Sequence, residues 1–255
     1  ILIKVENLVK TFGGLVALND CSLEIKDKAI TGIIGPNGSG KTTLFNVITG
    51  NLKPDTGKVF YNGVEITNEE SHDLFHLGVL RTFQIAHEFS NMTVIENLMV
   101  VPGNQKGEKL LYSLMNSQKI KKEDELIKDK AMEVLKFLKI EHLKNERAGN
   151  LSGGQKKLLE LARTMMVDAK IVFLDEVGAG VNKTLLRDIS DSILKLNQDK
   201  GYTFCMIEHD FNFISELCDP VIVLAEGSVL FKGSAEDVKS NEQVIESYLG
   251  KGLKK

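Results

Sequence analysis

The sequence predicts an α/β protein organised on a mainly parallel sheet, and three observations carry that prediction. The short apolar runs Ala29 to Ile34 (AITGII), Ile171 to Leu174 (IVFL), Tyr202 to Ile207 (YTFCMI) and Val221 to Leu224 (VIVL) have the length and character of strands covered on both faces. Helical patterns such as Lys183 to Leu196 separate the later runs, and strand alternating with helix is the signature of parallel pairing. Between the first run and the rest lies a long charged, amphipathic stretch, which predicts an inserted helical segment.

Taken in order, Ile1 to Val5 reads as a strand, with a turn at Gly13-Gly14 beyond it. Ala29 to Ile34 runs directly into Gly35-Pro36-Asn37-Gly38-Ser39-Gly40-Lys41-Thr42-Thr43, and a helix is expected over Thr42 to Ile48. Lys58 to Phe60 and Val64 to Ile66 flank Asn62-Gly63, the dipeptide favoured in two-residue hairpins. From about Val94 to Ile140 the segments are helical; Ala131, Val134, Leu135 and Leu138 recur at helical spacing and should face a core. The charge run Lys119 to Glu125 reads as a solvated turn and helix start. Leu158, Leu161, Ala162 and Met165 line one face of a helix that follows Leu151-Ser152-Gly153-Gly154-Gln155.

Composition bounds the function classes. The 255 residues carry 32 Lys and Arg against 35 Asp and Glu, a net charge of −3, which argues against a protein-wide basic surface for nucleic acid. A hydrophobic fraction of 42% sets aside disordered and fibrous classes. No window reaches the ~18 uninterrupted apolar residues of a membrane span, and the first residues are charged too early for a secretory signal, so a soluble chain is expected. Cys21, Cys205 and Cys218 are too few and too scattered for a disulfide framework or zinc site and read as free buried thiols.

The stretch from Gly35 to Thr42 satisfies G-x-x-x-x-G-K-[ST] at every fixed position. Its glycines let successive N–H groups turn toward phosphates, and the following helix adds its positive end. Lys41 would reach the β- and γ-phosphates, and the Thr42 hydroxyl would hold Mg²⁺. Asp175, at the end of an apolar strand, is placed where that strand surfaces and is suited to hold Mg²⁺ through water. Glu176 beside it is the candidate general base. A fold with these parts is a P-loop NTPase core.

Ser152, Gly153, Gly154 and Gln155 open a second helix, where they read either as a plain N-cap with a flexible lead-in or as a second anion-binding end. One nucleotide does not need two such ends. The economical explanation is that Ser152 addresses a nucleotide held by another subunit in a head-to-tail pair.

Together, GPNGSGKTT, LSGGQ, IVFLDE and Glu208-His209 resemble the ATP-binding subunit of an ABC transporter, in the family's order and over nearly the whole chain. The resemblance implies a P-loop core with an N-terminal antiparallel β segment over residues 1–83 and 162–255. A helical subdomain carrying LSGGQ would cover 84–161. It also implies ATP and Mg²⁺ as ligands, and it assigns roles by position. Phe12 would stack on adenine. Gln84 would contact Mg²⁺ and the attacking water, and His209 the γ-phosphate. Ala179 to Asn182 would form an interface loop. Two positions depart from the family pattern: Val177 stands where proline is usual, and Asn182 where aspartate is common.

The segments Leu80 to Gln84, Met92 to Leu98, Glu208 to Asp210 and Tyr248 to Gly250 are similar to the branched-chain amino acid importer branch, which also includes urea and short-chain amide importers. The expected partners are a second ATPase subunit, membrane permease subunits and, indirectly, a solute-binding protein. No nucleic acid is expected, and the place implied is the cytoplasmic side of the membrane, held peripherally. Two other readings meet parts of the same sequence. Asp175 to Gly178 fits the D-x-x-G of small GTPases, but Asn182-Lys183-Thr184-Leu185 lacks the aspartate of a guanine-reading N-K-x-D. A DNA-repair or ribosome-associated ATPase of the same superfamily would typically add a coiled coil, zinc modules or a second ATPase unit.

Overall fold

The computed structural model describes residues 1–82, 88–103 and 117–249. The chain divides into two compact units: Ile1–Gln84 with Lys170–Ala179 and Ile193–Lys255, and Ile85–Ala169 with Gly180–Ser192.

The first unit contains two sheets. One is antiparallel, in the order β2-β1-β4-β5, formed by β1 (Ile3–Phe12), β2 (Leu15–Ile25), β4 (Thr56–Tyr61) and β5 (Val64–Glu65). The first strand extends well past Val5, and the Asn62-Gly63 hairpin forms with Tyr61 opposite Val64. The other sheet has the order β10-β9-β3-β8-β7-β6, made of β3 (Ile30–Ile34), β6 (Val79–Arg81), β7 (Ile171–Asp175), β8 (Thr203–Ile207), β9 (Val221–Ala225) and β10 (Ser228–Gly233). All its pairings are parallel except that of β9 with β10.

Every residue of β3, β7 and β8 is buried, as expected for parallel strands covered on both faces. Register then decides what meets at the sheet's carboxyl edge. Ile33 lies opposite Ile207, and Ile207 opposite Asp175, so the residues following β3, β8 and β7 emerge in one row. Ligands of open α/β sheets bind outside that edge. Helix α1 (Lys41–Ile48) packs on the sheet through Phe45, whose ring meets Phe173 edge to face at 5.0 Å. Short helices α2 (Ser71–His76), α7 (Phe211–Leu217), α8 (Ala235–Ser240) and α9 (Glu242–Leu249) complete the unit. Cys21, Cys205 and Cys218 are free and buried, and burial pushes the Cys21 thiol up to about 12.

The second unit is helical among the described residues: α3 (Val94–Met99), α4 (Ser117–Phe137) and α5 (Gly153–Met165), with two single-turn 3₁₀ segments. The charge run from Lys119 lies inside α4 rather than in a turn before it. Ala131, Val134, Leu135 and Leu138 are buried as their spacing predicts. On α5, Leu158, Leu161 and Ala162 are buried, whereas Met165 is half-buried and Met166 takes the inward place. Thr93 and Glu96 close a capping box at the start of α3. The residues of α6 (Lys183–Lys200) are shared between the two units. Among the described residues, no helix is long and apolar enough to cross a membrane.

Candidate nucleotide site

The loop between β3 and α1 is fixed largely by its own backbone. Asn37 and Gly38 are exposed at its outer bend, while Gly35 and Ser39 are buried. Ser39 N–H donates to Pro36 O at 3.1 Å, and Gly227 N–H donates to Ser39 O at 3.2 Å, which pins the loop to the β9–β10 turn. Gly40 has φ +98°, and a Cβ there would stand 2.4 Å from Ala17 O, so both conformation and close approach require glycine. Having no side chain, Gly40 also leaves the first N–H groups of α1 without a side-chain cap.

Lys41 is 6% exposed, and its ammonium is turned onto its own loop, donating to Gly35 O at 2.8 Å and Pro36 O at 3.0 Å. Burial lowers its pKa from the ordinary lysine value, while Glu176 and Asp175 act in the opposite sense. The ammonium also donates to Ser39 Oγ at 3.4 Å, and a buried cation whose hydrogen-bond partners are all neutral is a ready receptor for an anion. Thr42 is exposed and Thr43 half-buried at the first turn of α1.

Asp175 does not surface as the sequence suggested: it is 2% exposed. Its Oδ2 accepts from Arg81 Nη2 at 2.7 Å, and Arg81 Nη1 donates to Asn46 Oδ1 on α1. The strand surfaces one residue later. Glu176 adopts φ +49°, a left-handed conformation costing a non-glycine residue about 1–2 kcal/mol. The surroundings hold that turn from two sides. Glu176 N–H donates to Ile207 O at 3.0 Å, and Gly178 N–H donates to Glu208 Oε1 at 2.8 Å. The turned Glu176 carboxylate meets His209, with Oε1 at 2.9 Å from Nε2. Val177 is 7% exposed and fills the turn's inner side.

Phe12 lies at the end of β1, about half exposed, with Lys10 Nζ at 5.8 Å from its ring centroid. Gln84 lies outside the described residues. In the second unit, Ser152 is exposed and caps α5 reciprocally with Gln155: Gln155 N–H donates to Ser152 Oγ at 3.4 Å, and Ser152 N–H to Gln155 Oε1 at 2.9 Å. Gly154 is buried, and a Cβ there would meet Leu185 Cδ2 at 2.2 Å; around Gly153 nothing lies within 4 Å of such an atom. Packing therefore accounts for Gly154 and leaves Gly153 without a reason internal to the fold. Asn182 caps α6 by accepting the Leu185 N–H at 3.0 Å, a task its amide performs without the usual aspartate charge.

The sequence reading missed Arg81 and Glu208 as working side chains. Both were visible in quoted motifs, but their partners are distant in the chain, and no local pattern announces them.

A glycine-rich loop feeding an uncapped helix, beside a buried lysine and two strand-end carboxylates, defines a nucleoside-triphosphate-binding cassette. The ABC transporter family matches residues 18–179. The chain belongs to that family. It is 43% identical over 249 residues to a protein of Archaeoglobus fulgidus named "Probable branched-chain amino acid transport ATP-binding protein LivG", covering 98% of this chain and 95% of that one. A nucleotide-free ATP-binding cassette from an ABC transporter superposes with a TM-score of 0.83 at 41% identity, covering 97% of this chain and 98% of the other. A dimeric post-hydrolysis state of the cassette MJ0796, bound to ADP and Pi, gives 0.75 at 25% identity, with 92% and 99% covered. The activity is accordingly that of a transporter ATPase, and the ligand is a nucleotide.

Proposed function

We propose that this subunit powers import of branched-chain amino acids, and that its nucleotide sits at the carboxyl edge of the parallel sheet. The observation carrying the site is the convergence there of Lys41, Asp175, Glu176 and His209; the likeness to the Archaeoglobus protein carries the solute. Lys41 would exchange its loop carbonyl partners for the β- and γ-phosphates, with the N–H groups from Gly38 to Thr43 around them. Phe12 would cover the adenine face.

The Thr42 hydroxyl and the Asp175 carboxylate are oxygen donors, the set a hard divalent cation takes. With Gln84, they are the residues that would hold Mg²⁺. When bound, the ion supplies charge neutralisation of the phosphates. Glu176, held outward by its left-handed turn, would take the proton of the attacking water. His209, hydrogen-bonded to that carboxylate, would orient it and reach the γ-phosphate.

Ser152, Gly153, Gly154 and Gln155 would close on the nucleotide of a partner ATPase subunit in a head-to-tail pair; that the cassette MJ0796 is dimeric supports pairing. Nucleotide that binds the pair more tightly than the separated halves joins them by mass action, and hydrolysis releases them. Motion would pass to membrane permease subunits, placing this chain peripherally on the cytoplasmic face, with a solute-binding protein beyond.

Tagged Glu176→Gln protein purified from its native membranes in Mg·ATP tests the reading. Recovery of two membrane proteins with a second ATPase, and a binding protein that takes leucine, isoleucine or valine, is the expected result. A binding protein that takes urea or short amides would move the solute, and recovery of ribosomal or DNA-bound proteins would overturn transport.

A further inference from the structure

We propose that Arg81 is an internal counter-cation for the divalent-metal site. It neutralises Asp175 while no nucleotide is present, so that metal enters together with the triphosphate rather than alone. The proposal rests on the reading that Asp175 serves the metal.

Arg81 ends β6 opposite Phe173, two residues short of Asp175 on the neighbouring parallel strand, so the two side chains lie on the same face of the sheet. Its guanidinium holds Asp175 Oδ2 at 2.7 Å, forks to Asn46 on α1, and lies 5.8 Å from the Phe45 ring centroid. The side chains are 11% and 3% exposed, so neither charge is screened by bulk water. The Arg81 Nε is buried without a hydrogen-bond partner among the described residues, so the side chain is anchored through its two terminal nitrogens.

A dication approaching this carboxylate meets a ligand already neutralised and a like charge a few ångströms away. A triphosphate brings the negative charge that offsets both. Arg81 is thus a positioning residue: it sets the Asp175 carboxylate by holding Oδ2, and it orders ligand entry.

Manganese binding followed by electron paramagnetic resonance at pH 8 tests this, with and without a non-hydrolysable ATP analogue. Without nucleotide, Arg81→Gln and Arg81→Met should bind Mn²⁺ about tenfold more tightly than the parent, the scale of one like-charge repulsion at short range. Arg81→Lys, which keeps the charge, should stay within about threefold. Unchanged circular dichroism and melting of the variants would show that a gain does not come from a loosened fold. Equal affinity in folded Gln and Met variants, or a tenfold gain in Arg81→Lys, would overturn the proposal.

Asp175→Asn, measured with the ATP analogue, separates the two ideas. Unchanged Mn²⁺ affinity there removes Asp175 from the metal, and the proposal with it. A loss there without a gain in the Arg81 variants overturns the counter-cation alone.

Discussion

Two helix beginnings in this molecule look alike in sequence and differ in physics. Helix α1 follows Gly38-Ser39-Gly40, and α5 opens with Ser152-Gly153-Gly154. At α1 no side chain caps the first N–H groups, a buried ammonium stands beside them, and strand-end carboxylates share the edge. At α5 a capping box satisfies two N–H groups, those of Ser152 and Gln155, and Ser152 and Gly153 are exposed. The first end forgoes a side-chain cap at a cost of a few tenths of a kcal/mol, the usual loss for glycine at that position, and in the proposed reading it holds the phosphates. The second is stable as it stands and offers only donors. In the proposed reading the uncapped terminus is the primary site, and the capped one closes on a partner's nucleotide.

The largest effect that would break this contrast is chemical. Glu176→Gln should lower ATP turnover by about 10²–10⁴-fold while ATP still binds, and should trap an ATP-bound pair visible by gel filtration. Turnover within tenfold of the parent would remove Glu176 as the base.

Lys41→Ala should weaken ATP binding to the isolated subunit about 100-fold, the loss of charge-assisted bonds to phosphate. Ser152→Ala in the same calorimetric assay should leave it within about twofold. Equal losses would mean that both ends serve one nucleotide in one chain.

A finer test uses stability. Ser152→Ala should cost about 1 kcal/mol through the lost cap. Gly153→Ala should be neutral or stabilising by up to ~1 kcal/mol, because nothing crowds the new methyl. Yet Gly153→Ala should impair hydrolysis. Thermal melts paired with turnover would show whether fold and function separate at that glycine.

The smallest effect lies away from both ends and serves as a control. Hydrogen bonds from Lys10 and then Thr11 lower the Asp55 pKa from 3.8 to about 2. A carboxylate with a depressed folded pKa contributes its stability above the unfolded value and loses it as pH falls toward 2. Carboxyl chemical shifts should show Asp55 titrating near pH 2, and Asp55→Asn should flatten that part of the acid-stability curve.

The fold was legible because its signals are local. Apolar runs of strand length, helical periodicity in Lys128 to Ile140 and the Asn62-Gly63 turn each act through near neighbours. The phosphate loop was legible for the same reason: Gly40 and Lys41 work through backbone geometry a few residues long. Less could be said of Asp175, which the sequence placed at a surfacing strand end and the structure buries against a guanidinium 94 residues away.

By itself, then, the sequence determined which strands are buried, where α1 and α5 begin, and which residue types could bind phosphate. Tertiary structure alone decided that Ile33, Ile207 and Asp175 share a row, that Glu176 turns left-handed under the hold of Ile207 and Glu208, and that His209 meets Glu176 at 2.9 Å. The reason is register. Parallel strands far apart in the chain align through backbone hydrogen bonds, and side chains at their ends acquire neighbours that no local pattern encodes.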